Sequence, residues 1–219
     1  RASEVLMQFQ RMLAKDMRVL VIDDHIEIPE GLISIPPREI QVGKVAAELA
    51  GLITQGNGRI LVSCGRKDSK IHEGRLESFC NYIKENKPEL IIELVTGYTR
   101  NMDHRGELYK NACEALDKYS DICLIYALTS HDNRAFVEAL EKHGKNKKVP
   151  IIGTDLNEET LEFLKQKRMS AVIDQNPYDK GYMAFKIMVD CLIKNMSVPD
   201  VIPCRIDIAL ENNADLYAD

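Results

Sequence analysis

The sequence predicts an α/β fold, a mostly parallel sheet with helices on both faces. Three observations carry that expectation. Short apolar runs alternate with helical periods of about ten to fifteen residues, the pattern of successive βα units. Residues 149–195 repeat strand, helix, strand, helix in one unbroken stretch. The apolar runs also close on polar turns, Thr154-Asp155 and Asp174-Gln175 among them, as strands ending at the rim of an open sheet do.

Residues 4–14 place Val5, Leu6, Phe9, Met12 and Leu13 on one helix face. Residues 17–22 are an apolar strand running out into Asp23, Asp24 and His25, and residues 32–35 a second one, ended by Pro36-Pro37. Residues 38–54, rich in Ala and Leu, are expected to form a helix with Ile40, Val45, Leu49 and Leu52 turned inward. After the turn Gln55-Gly56-Asn57-Gly58 come a strand over 59–63, a helix over 71–85 and a strand over 90–95. A helix over 105–119, a strand over 122–126 and a polar loop over 129–133 follow. The helix at 135–143 carries a basic tail that suits its carbonyl end. A strand over 149–153, a helix over 158–167 and a strand over 171–173 complete the central run. Asn176 as N-cap and Pro177 at the first helical position start the longest helix. Its Tyr182, Phe185, Met188, Val189 and Leu192 recur on one face, and residues 201–210 read as a late strand.

Composition bounds the function. The 219 residues suffice for one large domain or two small ones with a real core. A net charge of -5 and a pI near 5.6 argue against a nucleic-acid grip through phosphates, which needs a basic face. The six cysteines show no metal or CxxC spacing and sit mostly in apolar surroundings, so free buried thiols and a cytoplasmic location are expected. No apolar run is long enough for a membrane span, and no secretory signal is visible.

Strand ends select the first candidate residues. Asp155 follows one apolar strand and Gln175 closes the next, placing two polar side chains in one crevice. Each has a local alternative, an Asx turn or helix cap for Asp155 and a cap for the helix at Pro177 for Gln175. Asp23 and Asp24 end an early strand and serve equally well as a turn. The five histidines are not spaced as metal ligands, and GxSxG, HExxH and P-loop patterns are absent, so neither catalysis nor a cofactor is expected.

The segments GKVAAELAGLI, HEGRLESF, ICLIYALTSHDNRAFVEAL, PIIGTDLNEETLEFL and AVIDQNPYDKGYMAFKIM occur in an order that resembles the type 1 periplasmic-binding-protein fold. The likeness is closest to effector-binding domains of LacI/GalR-type regulators and to sugar-binding proteins of ABC transporters, and it spans residues 4–213. It implies two Rossmann-like lobes of mostly parallel sheet flanked by helices, residues 1–65 with 176–198 and residues 66–175 with 199–219. The family carries further βα units ahead of the position of Ala2, so the chain is expected to be a fragment with an incomplete first lobe and exposed apolar edges.

The resemblance also assigns roles. Arg75 matches the family arginine whose planar donor fork holds ligand hydroxyls or a carboxylate; its bland alternative is a solvated helix arginine. Asp155 would accept from adjacent sugar hydroxyls, Gln175 would both donate and accept, and Asp132 or Asn133 would add a contact. Where the family has Asp-Asn this chain has Arg38-Glu39. If Arg38 faces the ligand beside Arg75, the ligand is anionic; if it faces out, it is a charged first helical turn. The expected function is a sugar-effector domain of a LacI-type regulator, a cytoplasmic homodimer reaching DNA through an N-terminal head, without membrane contact. The alternative is the solute-binding protein of an ABC sugar importer.

Overall fold

The computed structural model describes residues 2–23, 30–66, 68–97, 104–145 and 149–217. The expected positions Asp24 and His25 lie outside these residues. The chain resolves into two compact units, residues 1–38 with 175–206 and residues 39–174 with 207–219.

The smaller unit holds α1 (Ala2–Leu13), β1 (Leu20–Ile22), β2 (Ile33–Ile35) and α7 (Pro177–Ile193). β1 and β2 pair in parallel, and Ser34 forms a further parallel bridge to Val201. Ile35, Ala184 and Cys204 are its buried centre, with Leu20, Met183, Ile187 and Ile202 packed against them. The apolar face that periodicity marks on α7 is largely open: Tyr182, Leu192 and Phe185 are exposed, Phe185 at 73%. Lys180, Ala184, Ile187 and Cys191, spaced i, i+4, i+7 and i+11, turn inward instead. Apolar residues occupy both sides of this helix, so periodicity alone could not choose between them. Asn176 holds the cap position but adopts a left-handed conformation, φ 52°, and makes no side-chain cap bond.

The larger unit holds a six-stranded sheet in the order β4-β3-β5-β6-β7-β8. Its strands are β3 (Gly58–Ser63), β4 (Leu90–Val95), β5 (Ile122–Tyr126), β6 (Ile151–Thr154), β7 (Ala171–Asp174) and β8 (Asp207–Ala209). All neighbours are parallel except β8, which runs antiparallel at the edge beside β7. The helices are α2 (Glu39–Ile53), α3 (Lys70–Asn86), α4 (His104–Lys118), α5 (Asn133–Lys142) and α6 (Glu158–Lys165). Buried apolar side chains from the sheet, α4, α5 and α6 form its core, among them Leu61, Leu108, Ile125, Phe136, Ile151 and Leu164. Phe79 of α3 stacks on Tyr126 of β5 with ring centroids 4.7 Å apart.

The lobe limits implied by the resemblance differ from these units. Residues 39–65 belong with the larger unit, because β3 pairs along its length with both β4 and β5. Residues 199–206 belong with the smaller unit, where Val201 bridges Ser34 and Ile202 N donates to Ser34 O. On α2 the inward face is Val42, Gly43, Ala46, Ala47 and Ala50, while Ile40 and Leu52 are exposed. Small residues face α3 because the helices meet closely: a Cβ on Gly43 would lie 2.3 Å from the Arg75 carbonyl oxygen. Among the described residues no helix is long and apolar enough to cross a membrane.

Candidate functional site

The chain runs from β3 outward to β4, then returns across β3 to β5 and on to β6 and β7. The direction reverses between β3 and β5. Open α/β sheets bind ligands in the crevice at such a reversal, outside the carboxyl ends of the strands. A hollow of about 350 Å³ lies there, lined by Arg66, His72, Arg75, Thr129, Ser130, His131 and Asp155. Arg66 follows β3, residues 129–131 follow β5 and Asp155 follows β6. A larger hollow of about 530 Å³ beside α2 and α3 is lined by helix residues only and receives no strand end.

Arg75 reaches the hollow from α3, whose N-cap Ser69 accepts from His72 N. Its guanidinium is buried, with the residue only 3% exposed, and Nη1 donates to Leu128 O. Nε is buried and unpartnered, and among the described residues no carboxylate stands within ion-pair distance of this guanidinium. A buried cation without a countercharge is costly. The solvated alternative for Arg75 is thereby removed.

Asp155 is half-buried and holds φ at 64°, a left-handed conformation that Asp tolerates but few residues favour. Its backbone N donates to Ile173 O, fixing the turn against β7. The capping alternative belongs to another residue: Asn157 caps α6, accepting from Thr160 N at 2.9 Å. Strain of this kind, held in place next to a hollow, is typical of ligand-facing positions.

Asp132 and Asn133, of which one was expected to add a ligand contact, both face inward. Both are fully buried. Asp132 accepts from Ser63 Oγ at 2.7 Å and from Thr129 N at 3.2 Å, and Asn133 Nδ2 donates to Thr154 O at 3.0 Å. Their bonds tie the ends of β3, β5 and β6 together. The neighbouring Thr129, Ser130 and His131 line the hollow instead. Burial pushes the Asp132 carboxyl upward, and the bonds from Ser63 and Thr129 oppose that rise.

Asp23, Arg38 and Gln175 belong to the smaller unit. Asp23 accepts from Lys180 Nζ at 2.5 Å and so neutralises a lysine only 2% exposed. Arg38 Nε donates to Cys204 O at 3.2 Å. Gln175 is half-buried and is not the cap of α7, a position Asn176 holds. Arg75 and Asp155 are the two expected residues that share a hollow.

Sequence reasoning missed Arg66, His72 and His131. It tested the histidines against metal spacing alone, and among the described residues no cluster of His, Cys, Asp or Glu could hold a metal ion. His72 Nδ1 accepts from Arg66 N at 2.9 Å, so the proton resides on Nε2. Gly65 permits this approach: its φ is +63°, and a Cβ there would come within 2.9 Å of His72. Burial, then the nearby Arg75 and Arg66 charges, hold the His72 imidazole below its usual range, so it is neutral at pH 7.

Three comparisons give the relatives. The D-allose-binding periplasmic protein of Escherichia coli (strain K12) is 30% identical over 108 residues, 49% of this chain and 34% of that protein. The match thus spans about a third of that relative's length. The structure of a sugar ABC transporter sugar-binding protein from Bacillus halodurans superposes with a TM-score of 0.87 at 17% identity, covering 99% of this chain and 77% of the other. A candidate LacI transcriptional regulator from Bacteroides fragilis gives 0.79 at 22% identity, covering 94% and 71%. At these identities the structural likeness establishes the type 1 periplasmic-binding-protein fold. The periplasmic binding protein domain matches residues 3–195, and to that family the chain belongs.

Proposed function

We propose that this chain is the ligand-recognition part of a sugar-binding protein serving an ABC-type importer. The observation that carries the reading is the hollow at the sheet's reversal point, where a buried guanidinium and a carboxylate in a left-handed turn line one space. Adjacent sugar hydroxyls need an acceptor such as Asp155 and a planar donor fork such as Arg75. The hollow's volume of about 350 Å³ suits a monosaccharide-sized ligand. The Escherichia coli and Bacillus halodurans relatives, both named for sugar binding, support the same assignment. In this reading the two compact units are the fold's two lobes, and the protein works outside the cytoplasm.

The Bacteroides fragilis structure favours a second reading, the effector domain of a LacI-type regulator. That reading carries with it a homodimer, a DNA-binding head and a cytoplasmic location. Finding permease and ATPase genes beside this one would support transport, and finding a helix-turn-helix encoded just upstream would support regulation.

The site is tested by calorimetric titration of a monosaccharide panel against wild type, Arg75→Lys and Asp155→Asn. At least one sugar is expected to bind wild type and to lose about tenfold or more in affinity with either variant. Binding that ignores both substitutions sinks the assignment of this hollow.

A further inference from the structure

We propose that Tyr126 is a positioning residue of the candidate sugar site, its buried hydroxyl accepting the Arg75 Nε–H when a sugar engages the outer edge of that guanidinium. The proposal rests on the hollow being the sugar site and adds a residue that acts on the ligand through another side chain. Its ground is a buried donor and a buried acceptor in each other's field, neither of them partnered among the described residues.

Tyr126 closes β5, is fully buried and does not line the hollow. Its ring stacks on Phe79, which stands one turn of α3 beyond Arg75. The guanidinium comes to the same strand end, because Arg75 Nη1 donates to Leu128 O just past Tyr126. Among the fixed charges, Arg75 acts most strongly on the phenol, ahead of Asp155 and Asp132. Among the described residues the Tyr126 hydroxyl has no hydrogen-bond partner, and neither has Arg75 Nε. Thr154, close to the phenol, directs its own hydroxyl hydrogen to Ala127 O at 2.9 Å.

An unmade buried hydroxyl costs stability, and phenylalanine would keep the ring and its stack without that cost. A cost of this kind beneath a binding hollow points to function rather than packing. Burial pushes the phenol up to about 12, so it stays neutral at ordinary pH and can accept as well as donate. Arg75 is held at Nη1 alone, and one point leaves a planar fork free to swing. Tyr126 supplies a second point from the buried side, leaving the remaining donors for sugar hydroxyls. The bond closes as the sugar draws the guanidinium into line, so its free energy adds to affinity and not to the stability of the fold without sugar.

Calorimetry with glucose, galactose, allose, ribose and xylose, on wild type and Tyr126→Phe, tests it, with melting temperatures taken on the same samples. The variant is expected to melt at or above wild type without sugar, yet to bind about fivefold or more weakly. NMR on the wild type gives a second readout: the Arg75 Nε–H resonance, assigned by its loss in Arg75→Lys, should move on sugar binding. Affinity within about twofold of wild type, a variant melting several degrees lower, or an Nε–H resonance indifferent to sugar each overturns the proposal. In all three cases the sugar reading survives wherever Arg75→Lys and Asp155→Asn still weaken binding. Silence from every sugar overturns both.

Discussion

The Asp132 carboxylate accepts a hydrogen bond from Ser63 Oγ at 2.7 Å, with both residues buried at the carboxyl end of β3. Ser63 Oγ in turn accepts from Leu128 N at 2.8 Å, and Leu128 O receives Arg75 Nη1. One buried carboxylate thus anchors the backbone that aims the guanidinium. Asp132→Ala strips the acceptor from Ser63 and from Thr129 N, an expected loss of about 1–3 kcal/mol of unfolding free energy. Urea denaturation measures it. A loss within experimental error would mean that the network does not bear on stability.

The same carboxyl gives a pH signature. Burial raises its proton affinity above that of the unfolded chain, so its contribution to stability is present in full below the ordinary carboxylate range. That contribution fades as pH rises through the folded-state value, because the native state must then ionise a buried group. Asp132→Asn cannot ionise. Wild type is therefore expected to lose stability relative to Asp132→Asn as pH climbs from about 3.8 toward neutrality. A difference between the two that stays flat with pH contradicts it.

Close helix contact makes Gly43 the most sensitive small residue near the site. Its missing Cβ would lie 2.1 Å from Ser78 Oγ and 2.3 Å from the Arg75 carbonyl oxygen. Gly43→Ala is expected to destabilise by about 1–3 kcal/mol and to weaken ligand binding by displacing the turn that carries Arg75. Adding Ser78→Gly relieves the hydroxyl clash but not the backbone one, so rescue should be partial. Full rescue would show that the Arg75 carbonyl yields freely.

Much of the architecture was legible because short apolar runs bounded by turns have one physical reading. β4 at Leu90–Val95 and β5 at Ile122–Tyr126 occupy the residues that periodicity marks. The faces of α2 and α7 were not legible, for opposite reasons. On α2 glycine and alanine win the interior by letting α3 approach, although larger apolar residues stand on the same helix. On α7 both sides are apolar. The place of Asp155 beside the hollow could be read because a strand end exposes it, whereas the burial of Asp132 depends on Ser63, far away in sequence. His72 was hidden by its tautomer, set by a backbone N–H that no spacing rule reports.

Asp155 separates backbone strain from ligand contact. At φ 64°, alanine is strained, whereas asparagine keeps the conformation and loses the charge. Asp155→Asn is expected to melt within a few degrees of wild type yet bind sugar about tenfold or more weakly. Asp155→Ala adds a stability loss of about 1 kcal/mol to the same binding defect. Equal ligand affinity in wild type and Asp155→Asn would reduce the residue to a turn former.

His72 couples the hollow to acid. Burial comes first in depressing its pKa, followed by the positive fields of Arg75 and Arg66, while Asp155 and Asp68 push the other way. A base with a depressed folded-state pKa contributes stability that is present above its unfolded value, near 6.5, and lost as pH falls through the folded one. The melting temperature of the ligand-free protein should therefore fall on acidification below about pH 6.5 by more in wild type than in His72→Gln. Imidazole chemical shifts followed by NMR give an independent readout, with the His72 titration expected below its ordinary range. A His72 titration at its ordinary pH, unmoved by any ligand, would place this side chain outside the site.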